Sequence, residues 1–379
     1  MRIVRIATMQ FVVLHHLGGQ IQAAAAAGHQ VFVITSRGDV IDQIRSLGVA
    51  GITIIDIPRE ISPLADLIAL FRLWREIGKL KPDLVHSITP KAGLLAAIAS
   101  RLRGVPVRLH SFTGQAWAER RGLVRWLGRL ADGVIVRINS RCYADSFSQR
   151  DFIVAEGICE REAIHVPGSG SLAGVDLKRF DIDRLRDPAR ALRARLGIGA
   201  RDKVVVFLGR VTRDKGIGEL VRAFAGIRDA ALVLVGPLEP ERDPLAPDTL
   251  AEIERNPAIY PVGYVPDPDA YLAMADMLCL PSYREGFGSV VVEAAALGVP
   301  SVGTRIVGLT DAIVDGVTGV LVPPKNVESL SGALRTLLDD DARRLAMGIA
   351  ARDRARKEFD AEAMNAALLA EYASLQSNR

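Results

Sequence analysis

Four charged residues in the second half of the chain have types and spacing that suit work on an anionic ligand. Arg210 and Lys215 share one glycine-bounded loop, while Glu285 lies in a turn and Glu293 in the helix predicted to follow it. A guanidinium group makes forked contacts with phosphate and an ammonium group adds a point charge, so the two cations suit a diphosphate. The two carboxylates suit either acid–base chemistry or hydrogen bonds to hydroxyl groups. Taken singly, these residues need no ligand to explain them. A charge in a solvated loop is at least as good an explanation, and for Glu293 so is a carboxylate near a helix N-terminus.

The local sequence predicts how these side chains are held. The apolar run 277–280 predicts a buried strand, and Gly286 and Gly288 permit a tight turn after it. Ser289 is expected to cap a helix that ends at Gly298. Ligands of open parallel sheets bind outside the carboxyl ends of strands, so this turn and the loop with the two cations are expected to form one site.

Short apolar segments alternate with helix-like segments along the chain, which predicts parallel strands joined by crossover helices. The predicted strands are 3–7, 31–35, 52–57, 84–86, 107–111, 134–138, 204–209, 231–236, 259–265, 277–280, 299–303 and 320–322. Predicted helices include 17–27, 64–80 and a long stretch over 339–375 with a bend at Phe359-Asp360. The fold class is therefore α/β, with two Rossmann-like, doubly wound parallel-sheet domains that are expected to face each other across a cleft.

A glycine-rich and then charged segment after residue 167 marks the predicted domain boundary. We predict an N-terminal domain over residues 1–170 and a C-terminal domain, which holds the candidate site, over residues 171–359. A final helix over about 360–379 is expected to pack back on the N-terminal domain.

Composition argues against several classes of protein. The chain has 379 residues, 49% of them apolar and 24% charged, with a net charge of +4, which is typical of globular domains. Its three cysteines lack C-x-x-C spacing, which argues against a disulfide framework or a zinc site and favours a reducing, cytoplasmic setting. No apolar run reaches the length of a membrane span. Because the basic residues lack interleaved aromatic residues, no nucleic-acid partner is expected.

Together the motifs resemble those of the family 4 retaining glycosyltransferases of the GT-B fold. The resemblance is carried by Gly-Arg-x₄-Lys-Gly around Arg210 and Lys215, the E-x₇-E pair Glu285 and Glu293, Gly298-Val-Pro-Ser and Asp315-Gly-Val-Thr-Gly. One departure concerns the loop before the first helix, where family members carry a glycine pair and this chain has Phe11-Val12 at the expected position.

The resemblance implies transfer of a sugar from a nucleoside diphosphate with retention at the anomeric carbon. Arg210 and Lys215 would hold the diphosphate, Glu285 would lie beside the donor sugar, and Glu293 would bind the ribose. The implied donor-binding set is Arg210, Lys215, Gly236, Val265, Glu285, Gly286, Phe287, Gly288 and Glu293. Since these cations and helix-terminal amides can stabilise the leaving diphosphate, neither a metal nor a cofactor is expected. Asp267-Pro-Asp269 matches the D-x-D pattern of metal-dependent sugar transferases, but its prolines favour a helix-capping loop.

A closer resemblance is to bacterial enzymes that extend undecaprenyl-diphosphate-linked oligosaccharides, and it is carried by segments 87–93, 111–117 and 235–244. It implies a UDP-sugar donor and a lipid-linked glycan acceptor. The acceptor-side candidates are His86, Thr89, Lys91, Thr113 and Gln115. The family's histidine near the donor corresponds to His110 or to the position of Thr113. The predicted catalytic residues are Glu285, Arg210, Lys215 and His110.

Segment 119–129 mixes leucines and a tryptophan with Arg120, Arg121, Arg125 and Arg129, a composition that can lie on anionic lipid. A crossover helix packed on the sheet explains the same pattern equally well. We predict a cytoplasmic enzyme, peripherally associated with the inner face of the cytoplasmic membrane, that extends a polyprenyl-linked glycan. Two alternatives stay open: a soluble family 4 transferase with a small-molecule acceptor, and a non-catalytic nucleotide-sugar-binding subunit.

Overall fold

The structure, a computed structural model, describes residues 1–58, 60, 62–199, 201–241 and 243–377. Its internal contacts divide the chain into two compact units. The first unit comprises Met1–Ala173 and the segment from Ala361 on, and the second comprises Gly174–Asp360. The predicted boundaries lie after residues 170 and 359.

Strands and helices alternate through both units. The strands are β1 (Arg2–Ile6), β2 (Gln30–Thr35), β3 (Gly51–Ile54), β4 (Leu84–Ile88), β5 (Val107–Phe112), β6 (Arg141–Ala144), β7 (Ile164–His165), β8 (Lys203–Leu208), β9 (Ala230–Val235), β10 (Ile259–Gly263), β11 (Met277–Leu280), β12 (Ser301–Thr304) and β13 (Gly319–Val322). The helices are α1 (Gln10–Ala26), α2 (Ile41–Arg45), α3 (Pro63–Leu80), α4 (Pro90–Leu102), α5 (Gly122–Ile138), α6 (Phe147–Ala155), α7 (Ile182–Arg195), α8 (Ile217–Phe224), α9 (Pro247–Arg255), α10 (Asp269–Ala273), α11 (Ser289–Ala296), α12 (Leu309–Ala312), α13 (Val327–Asp339), α14 (Asp341–Glu358) and α15 (Ala361–Ser377).

The first unit is built on a seven-stranded sheet of order β3-β2-β1-β4-β5-β6-β7. Its pairs are parallel, and Val4 of β1 lies opposite Phe32 of β2 on one side and Val85 of β4 on the other. Successive residues of a strand point to opposite faces, so Ile3 packs with α1, α2 and α15 whereas Val4 packs with α3 and α4. Helices therefore cover both faces of this sheet.

The second unit has a six-stranded parallel sheet of order β10-β9-β8-β11-β12-β13. Strands β9 and β11 are buried from end to end, and β8 is buried except at its first and last residues, which explains their nearly continuous apolar sequence. Both sheets confirm the predicted class of two doubly wound α/β domains. The predicted bend is also confirmed, since α14 ends at Glu358 and α15 begins at Ala361.

Two local predictions are wrong. The segment Val134–Ile138 is the last part of helix α5, and the strand is β6 instead. Its β-branched residues resemble a strand, but only Ile135 among them is fully buried, and packing of one helical stripe overrides the propensity. Helix α1 begins at Gln10 rather than near Leu17, so Phe11 and Val12 are helical and not part of the loop after β1.

Candidate active site

The order of strands in the second sheet reverses between β8 and β11. From β8 the chain proceeds outward to β9 and β10, and it then returns to the other side of β8 at β11. Loops at such a switch point diverge and leave a crevice at the carboxyl ends of the two strands. The loop after β8 carries Arg210 and Lys215, and the turn after β11 carries Glu285. The fold therefore brings these three predicted residues to one place.

Lys215 and Glu285 form an ion pair across this switch point. The Lys215 Nζ lies 2.5 Å from Glu285 Oε1, and the Ser282 hydroxyl donates to the same oxygen at 2.7 Å. The side chains of the pair are only 15% and 14% exposed, so each charge is largely withdrawn from water and depends on the other. The pair fixes the turn after β11 to the loop after β8.

Arg210 is also paired with carboxylates. Its guanidinium donates to Asp214 at 3.2 Å and to Glu239 at 3.1 Å. Burial would lower the pKa of Arg210, but the neighbouring charges of Asp214 and Glu239 raise it, so the side chain stays a cation. The forked group is thereby held at the end of β8.

Asp214 links three segments of the site, and the sequence analysis did not identify it. Its amide donates to Asp243 Oδ2 at 2.5 Å, and its carbonyl accepts from the Tyr283 amide at 2.9 Å. Burial would raise the pKa of the Asp214 carboxyl, but a hydrogen bond from Thr212 and the charges of Arg210 and other cations lower it. A carboxylate between two cations in the sequence Arg213-Asp214-Lys215 is the signal that could have identified it.

Two glycines allow the site loops to touch through their backbones. Gly216 has φ +71°, and a Cβ there would lie 2.1 Å from the carbonyl oxygen of Pro281. Gly236, a predicted donor-binding residue, has φ +141°, and a Cβ would lie 1.8 Å from the carbonyl oxygen of Gly209. Any side chain at either position would separate the loops that carry the charged residues.

Two helix N-termini point to the same switch point. Helix α8 begins after Gly216 and helix α11 after Gly288, both left-handed residues, and within the described chain neither helix has a side-chain hydrogen bond at its N-cap. The prediction that Ser289 caps α11 is wrong, because Ser289 is the first helical residue. Helix N-termini without side-chain caps offer amide donors and a partial positive charge to an anion.

The turn between Glu285 and α11 is held in place by packing against the core of the second unit. Phe287 is 1% exposed, and its ring centroid lies 5.3 Å from that of Phe359. Gly286 lies under Gly308, where a Cβ would come within 2.6 Å of the Gly286 carbonyl oxygen. The Phe287 side chain therefore belongs to the core, and only backbone groups of this turn are placed to meet a ligand.

Glu293 lies in α11, and the charges that act on it are those of Arg179 and Asp269 rather than those of the Lys215–Glu285 pair. Burial raises the pKa of Glu293 to about 7, the positive charge of Arg179 opposes the rise, and the negative charge of Asp269 adds to it. Arg179 itself pairs with Asp269 at 2.6 Å. Asp269, the first residue of α10, thus serves an ion pair. The predicted helix cap is not found among the described residues, because the N-cap is Pro268 and has no side-chain cap hydrogen bond. Val265 follows β10 and packs, partly buried, on the core of the second unit.

In the first unit the corresponding switch point lies between β1 and β4. The hydroxyl oxygens of Thr8 and Thr89, which follow these strands, are 2.7 Å apart, and Thr89 has φ +73°. Lys91, on the first turn of α4, pairs with Asp66 of α3 at 2.9 Å. Thr89 and Lys91 are partly exposed, as is Thr113 after β5.

His86 is enclosed within the first unit. The ring is 2% exposed, with Nδ1 2.5 Å from the Tyr372 hydroxyl and Nε2 2.8 Å from the Ser111 hydroxyl. Burial, together with the charge of Arg5, lowers the pKa of His86 well below its ordinary value. Nδ1 contacts α15 and Nε2 contacts β5, so both ring nitrogens are engaged inside the first unit. The structure therefore does not present His86 on a surface, and its role toward an acceptor remains a prediction.

His110 is also enclosed within the first unit. The side chain is 0% exposed, its Nδ1 lies 3.0 Å from the Ser87 hydroxyl, and a Cβ on Gly93 would come within 2.2 Å of the ring. Burial lowers the pKa of His110 to about 3, so the ring is neutral. Gln115, 4% exposed, accepts a hydrogen bond from Gln149 at 3.2 Å. The structure therefore does not present His110 or Gln115 on a surface, and the catalytic role of His110 remains a prediction.

Comparison with known families agrees with this architecture. A model described as "Glycosyl transferase 4-like domain" matches residues 14–169, and one described as "Glycosyl transferases group 1" matches residues 189–354. The chain belongs to the family 4 glycosyltransferases of the GT-B fold and is an enzyme of the glycosyltransferase class.

Individual relatives have several named functions. The chain is 28% identical over 351 residues to the capsular polysaccharide biosynthesis glycosyltransferase CapM of Staphylococcus aureus, covering 91% of this chain and 90% of CapM. It is 30% identical over 356 residues to a D-inositol 3-phosphate glycosyltransferase of Arthrobacter, covering 87% and 82% of the two chains. Among solved structures, Anabaena HepE in complex with UDP and glucose is similar with a TM-score of 0.83 at 20% identity, over 98% of this chain and 99% of HepE.

The described residues also bear on metal binding and on membrane insertion. Across the residues that the structure describes, no group of three or more histidine, cysteine, aspartate and glutamate side chains is arranged to hold a metal ion. Over the same residues, no helix combines the length and the apolar character needed to cross a membrane.

Proposed function

We propose that this enzyme transfers a hexose or N-acetylhexosamine from a UDP-sugar, with retention of anomeric configuration, onto a polyprenyl-diphosphate-linked sugar. One observation carries the proposal: Arg210, Lys215 and Glu285 meet at the switch point of the second sheet, beside the N-termini of α8 and α11. Two cations and uncapped amides suit a diphosphate, and a carboxylate held beside them suits the hydroxyl groups of the attached sugar.

The chemistry follows from where charge develops. The bond between the anomeric carbon and the diphosphate oxygen breaks, and the acceptor oxygen forms its bond on the same face of the sugar. The acceptor proton passes to the leaving phosphate oxygen. Arg210, Lys215 and the helix amides stabilise the negative charge that the diphosphate gains, and this removes the need for a metal ion. Glu285 orients the donor sugar, and the Glu293 carboxylate accepts hydrogen bonds from the ribose hydroxyls.

The acceptor assignment is supported by CapM, whose name places it in capsular polysaccharide biosynthesis. A glycan carried on a polyprenyl diphosphate places the reaction at the inner face of the cytoplasmic membrane. We assign acceptor recognition to the first unit, at the partly exposed Thr89, Lys91 and Thr113.

A second candidate is transfer to a small phosphorylated acceptor. It is favoured by the D-inositol 3-phosphate glycosyltransferases among the relatives, one of which is 33% identical over 306 residues. In that case the enzyme would act without any lipid, and the same donor site would serve it.

The donor site is tested by Lys215→Ala and Glu285→Ala, with Lys203→Ala as the matched control. Lys203 also forms a 2.8 Å ion pair, with Asp341, but at the opposite end of β8. We expect transfer to fall by at least about 100-fold in the two site variants, as for loss of a transition-state contact, and to stay near wild type in the control. Full activity of both site variants, with circular dichroism spectra unchanged, would refute the assignment.

The donor and acceptor are tested separately. UDP-, GDP- and ADP-sugars are compared by thermal shift and by turnover, and a UDP-sugar is expected to stabilise the protein most. Turnover is then measured in detergent with a polyprenyl-diphosphate-linked sugar and, in parallel, with inositol phosphate. If the enzyme turned over with inositol phosphate and not with the lipid-linked sugar, the proposed acceptor would be wrong and the second candidate would stand.

A further inference from the structure

Helix α3 carries an apolar stripe that faces solvent. Leu64, Leu67, Ile68 and Phe71 are 73%, 64%, 45% and 60% exposed, and their spacing places them on one side of the helix. The opposite side, with Ala69, Leu73 and Ile77, is buried on the sheet. An amphipathic helix of a globular protein needs only one apolar side, so the second apolar side of α3 is surplus to folding.

Helix α5 has the same arrangement. Leu123, Trp126 and Leu130 are 69%, 57% and 50% exposed on one side, while Asp132 and Ile135 face inward. Both α3 and α5 pack against α4, so they lie in one helical layer on the same face of the first sheet. The two stripes therefore belong to a single outer surface, which we name the α3–α5 face.

The charges of this face are unequal in sign. The acids of α3 are neutralised, because Asp66 pairs with Lys91 and Glu76 pairs with Lys79. Arg72 is exposed, as is Arg75, and within the described part of the chain neither forms an ion pair.

Helix α5 contributes fewer cations than its sequence suggested. Arg125 and Arg129 both pair with Glu156 of the same unit, at 2.5 and 3.4 Å. Glu156 therefore compensates part of their charge, and contact of this segment with lipid stays a prediction. Arg120 and Arg121 remain exposed, with no ion pair to any residue that the structure describes.

We infer that the α3–α5 face is a two-helix platform that binds an anionic lipid bilayer. Exposed leucine and aromatic side chains with arginines beside them suit the boundary of acyl chains and anionic headgroups. The excess of positive charge favours a membrane over a second copy of the chain, since two such faces would repel each other. The inference rests on the proposed function for its biological setting, and it adds α3 as a membrane contact.

Vesicle sedimentation tests the platform. The full chain is mixed with vesicles of phosphatidylcholine alone or with phosphatidylglycerol added, and binding is expected only to the anionic vesicles. The double variant L67S/F71S on α3 and the double variant L123S/W126S on α5 should each weaken binding by about tenfold or more, as expected for loss of large apolar contacts. The variant R72Q/R75Q should remove part of the dependence on salt concentration.

The control is L345S/I349S on α14 of the second unit, which replaces residues that are 67% and 45% exposed. It should bind vesicles as wild type does. Binding of L67S/F71S equal to this control, or no binding by wild type, would overturn the inference. A wild-type dimer in analytical ultracentrifugation that L67S/F71S dissociates would assign the face to a second copy instead.

The platform and the catalytic proposal can fail independently. Donor thermal shift and transfer in detergent need no bilayer, so L67S/F71S should match wild type in both. Vesicle binding without any transfer would leave the platform standing and refute the function. Transfer in detergent without vesicle binding would leave the function standing and refute the platform.

Discussion

Lys215 Nζ lies 2.5 Å from Glu285 Oε1, and the two side chains neutralise each other inside the second unit. Arg210 is likewise balanced, by Asp214 and Glu239. A diphosphate that binds here must therefore compete with the protein's own carboxylates for its cations. Donor affinity and transfer rate should respond differently when one of these carboxylates is removed.

Glu285→Gln should separate binding from chemistry. The amide keeps the size of the side chain and can still accept from Ser282, but it releases Lys215 from its ion pair. We expect the dissociation constant for UDP-sugar to stay within about threefold of wild type or to fall, because Lys215 becomes available to phosphate. Transfer should fall by about 100-fold because the donor sugar loses its carboxylate. Isothermal titration and steady-state kinetics measure the two effects, and a parallel loss of affinity and rate would contradict the proposed roles.

Arg210→Lys should be far more harmful than Arg213→Lys. Both arginines lie in the loop after β8 and both pair with acids, but Arg213 is 74% exposed and pairs with Asp243. Lysine keeps the charge and loses the forked geometry that matches phosphate. We expect kcat/KM for the donor to fall about 100-fold in the first variant and less than about twofold in the second. Equal kinetics in the two variants would mean that Arg210 acts only through its charge.

Donor affinity should rise with pH through neutrality. Burial raises the pKa of Glu293 to about 7, so the carboxyl is mostly protonated at pH 6 and mostly ionised at pH 8. If the carboxylate accepts the ribose hydroxyls, UDP-sugar should bind about tenfold more tightly at pH 8 than at pH 6, and Glu293→Gln should abolish the dependence. A UDP-sugar is used because its diphosphate diester does not titrate in this range. An unchanged pH profile in Glu293→Gln would assign the titration to another group.

The same shift predicts how Glu293 affects stability. A carboxyl whose pKa is raised in the folded state contributes stability below its unfolded pKa of about 4.3, and this contribution is lost as pH rises toward 7. Ligand-free wild type should thus lose stability relative to Glu293→Gln between about pH 5 and pH 7. Urea denaturation of both proteins at several pH values measures the difference, and parallel curves would contradict the shift.

Gly216→Ala should damage the site, and Gly197→Ala provides a matched control. Both glycines have φ near +70°, but a Cβ on Gly197 would meet no atom within 4 Å, whereas one on Gly216 would lie 2.1 Å from the Pro281 carbonyl oxygen. Backbone strain of about 1–2 kcal/mol is common to both variants. We expect Gly197→Ala to lower Tm by a few degrees and keep transfer, and Gly216→Ala to lower Tm further and lose transfer. Equal Tm and activity in both would show that the Pro281 contact is relieved at no cost.

Tyr372→Phe should loosen α15 without affecting the donor site. The Tyr372 hydroxyl accepts from Arg5 Nη1 at 2.7 Å and contacts His86, so its loss leaves polar groups unpaired in a buried place. A cost of about 1–3 kcal/mol is expected, seen as faster hydrogen exchange in α15, while UDP-sugar affinity stays unchanged. Ser374→Ala is the control, because its hydroxyl donates within α15, to the Glu371 carbonyl at 2.9 Å. Protection of α15 equal to that of the control would refute the anchoring role.

The fold and the donor loops were largely predictable from the sequence. Apolar periodicity and glycine positions are local, so they located most strands, the bend near Phe359 and the loops that hold Arg210 and Glu285. The failures occurred where local sequence is ambiguous. Val134–Ile138 has the composition of a strand, and only its packing in α5 shows otherwise. For His110, whose catalytic role remains a prediction, only the structure shows that Gly93 packs directly over the ring.

The sequence by itself determined two α/β domains and the enzyme family, and it predicted which residues bind a diphosphate, because these follow from short patterns. Only the tertiary structure decided which charges meet. Lys215 and Glu285 are 70 positions apart, and their contact depends on β11 returning beside β8. In the same way, Arg125 forms an ion pair with Glu156, while Arg75 is left exposed beside Phe71. Such pairings depend on strand order and helix packing, which no local pattern encodes.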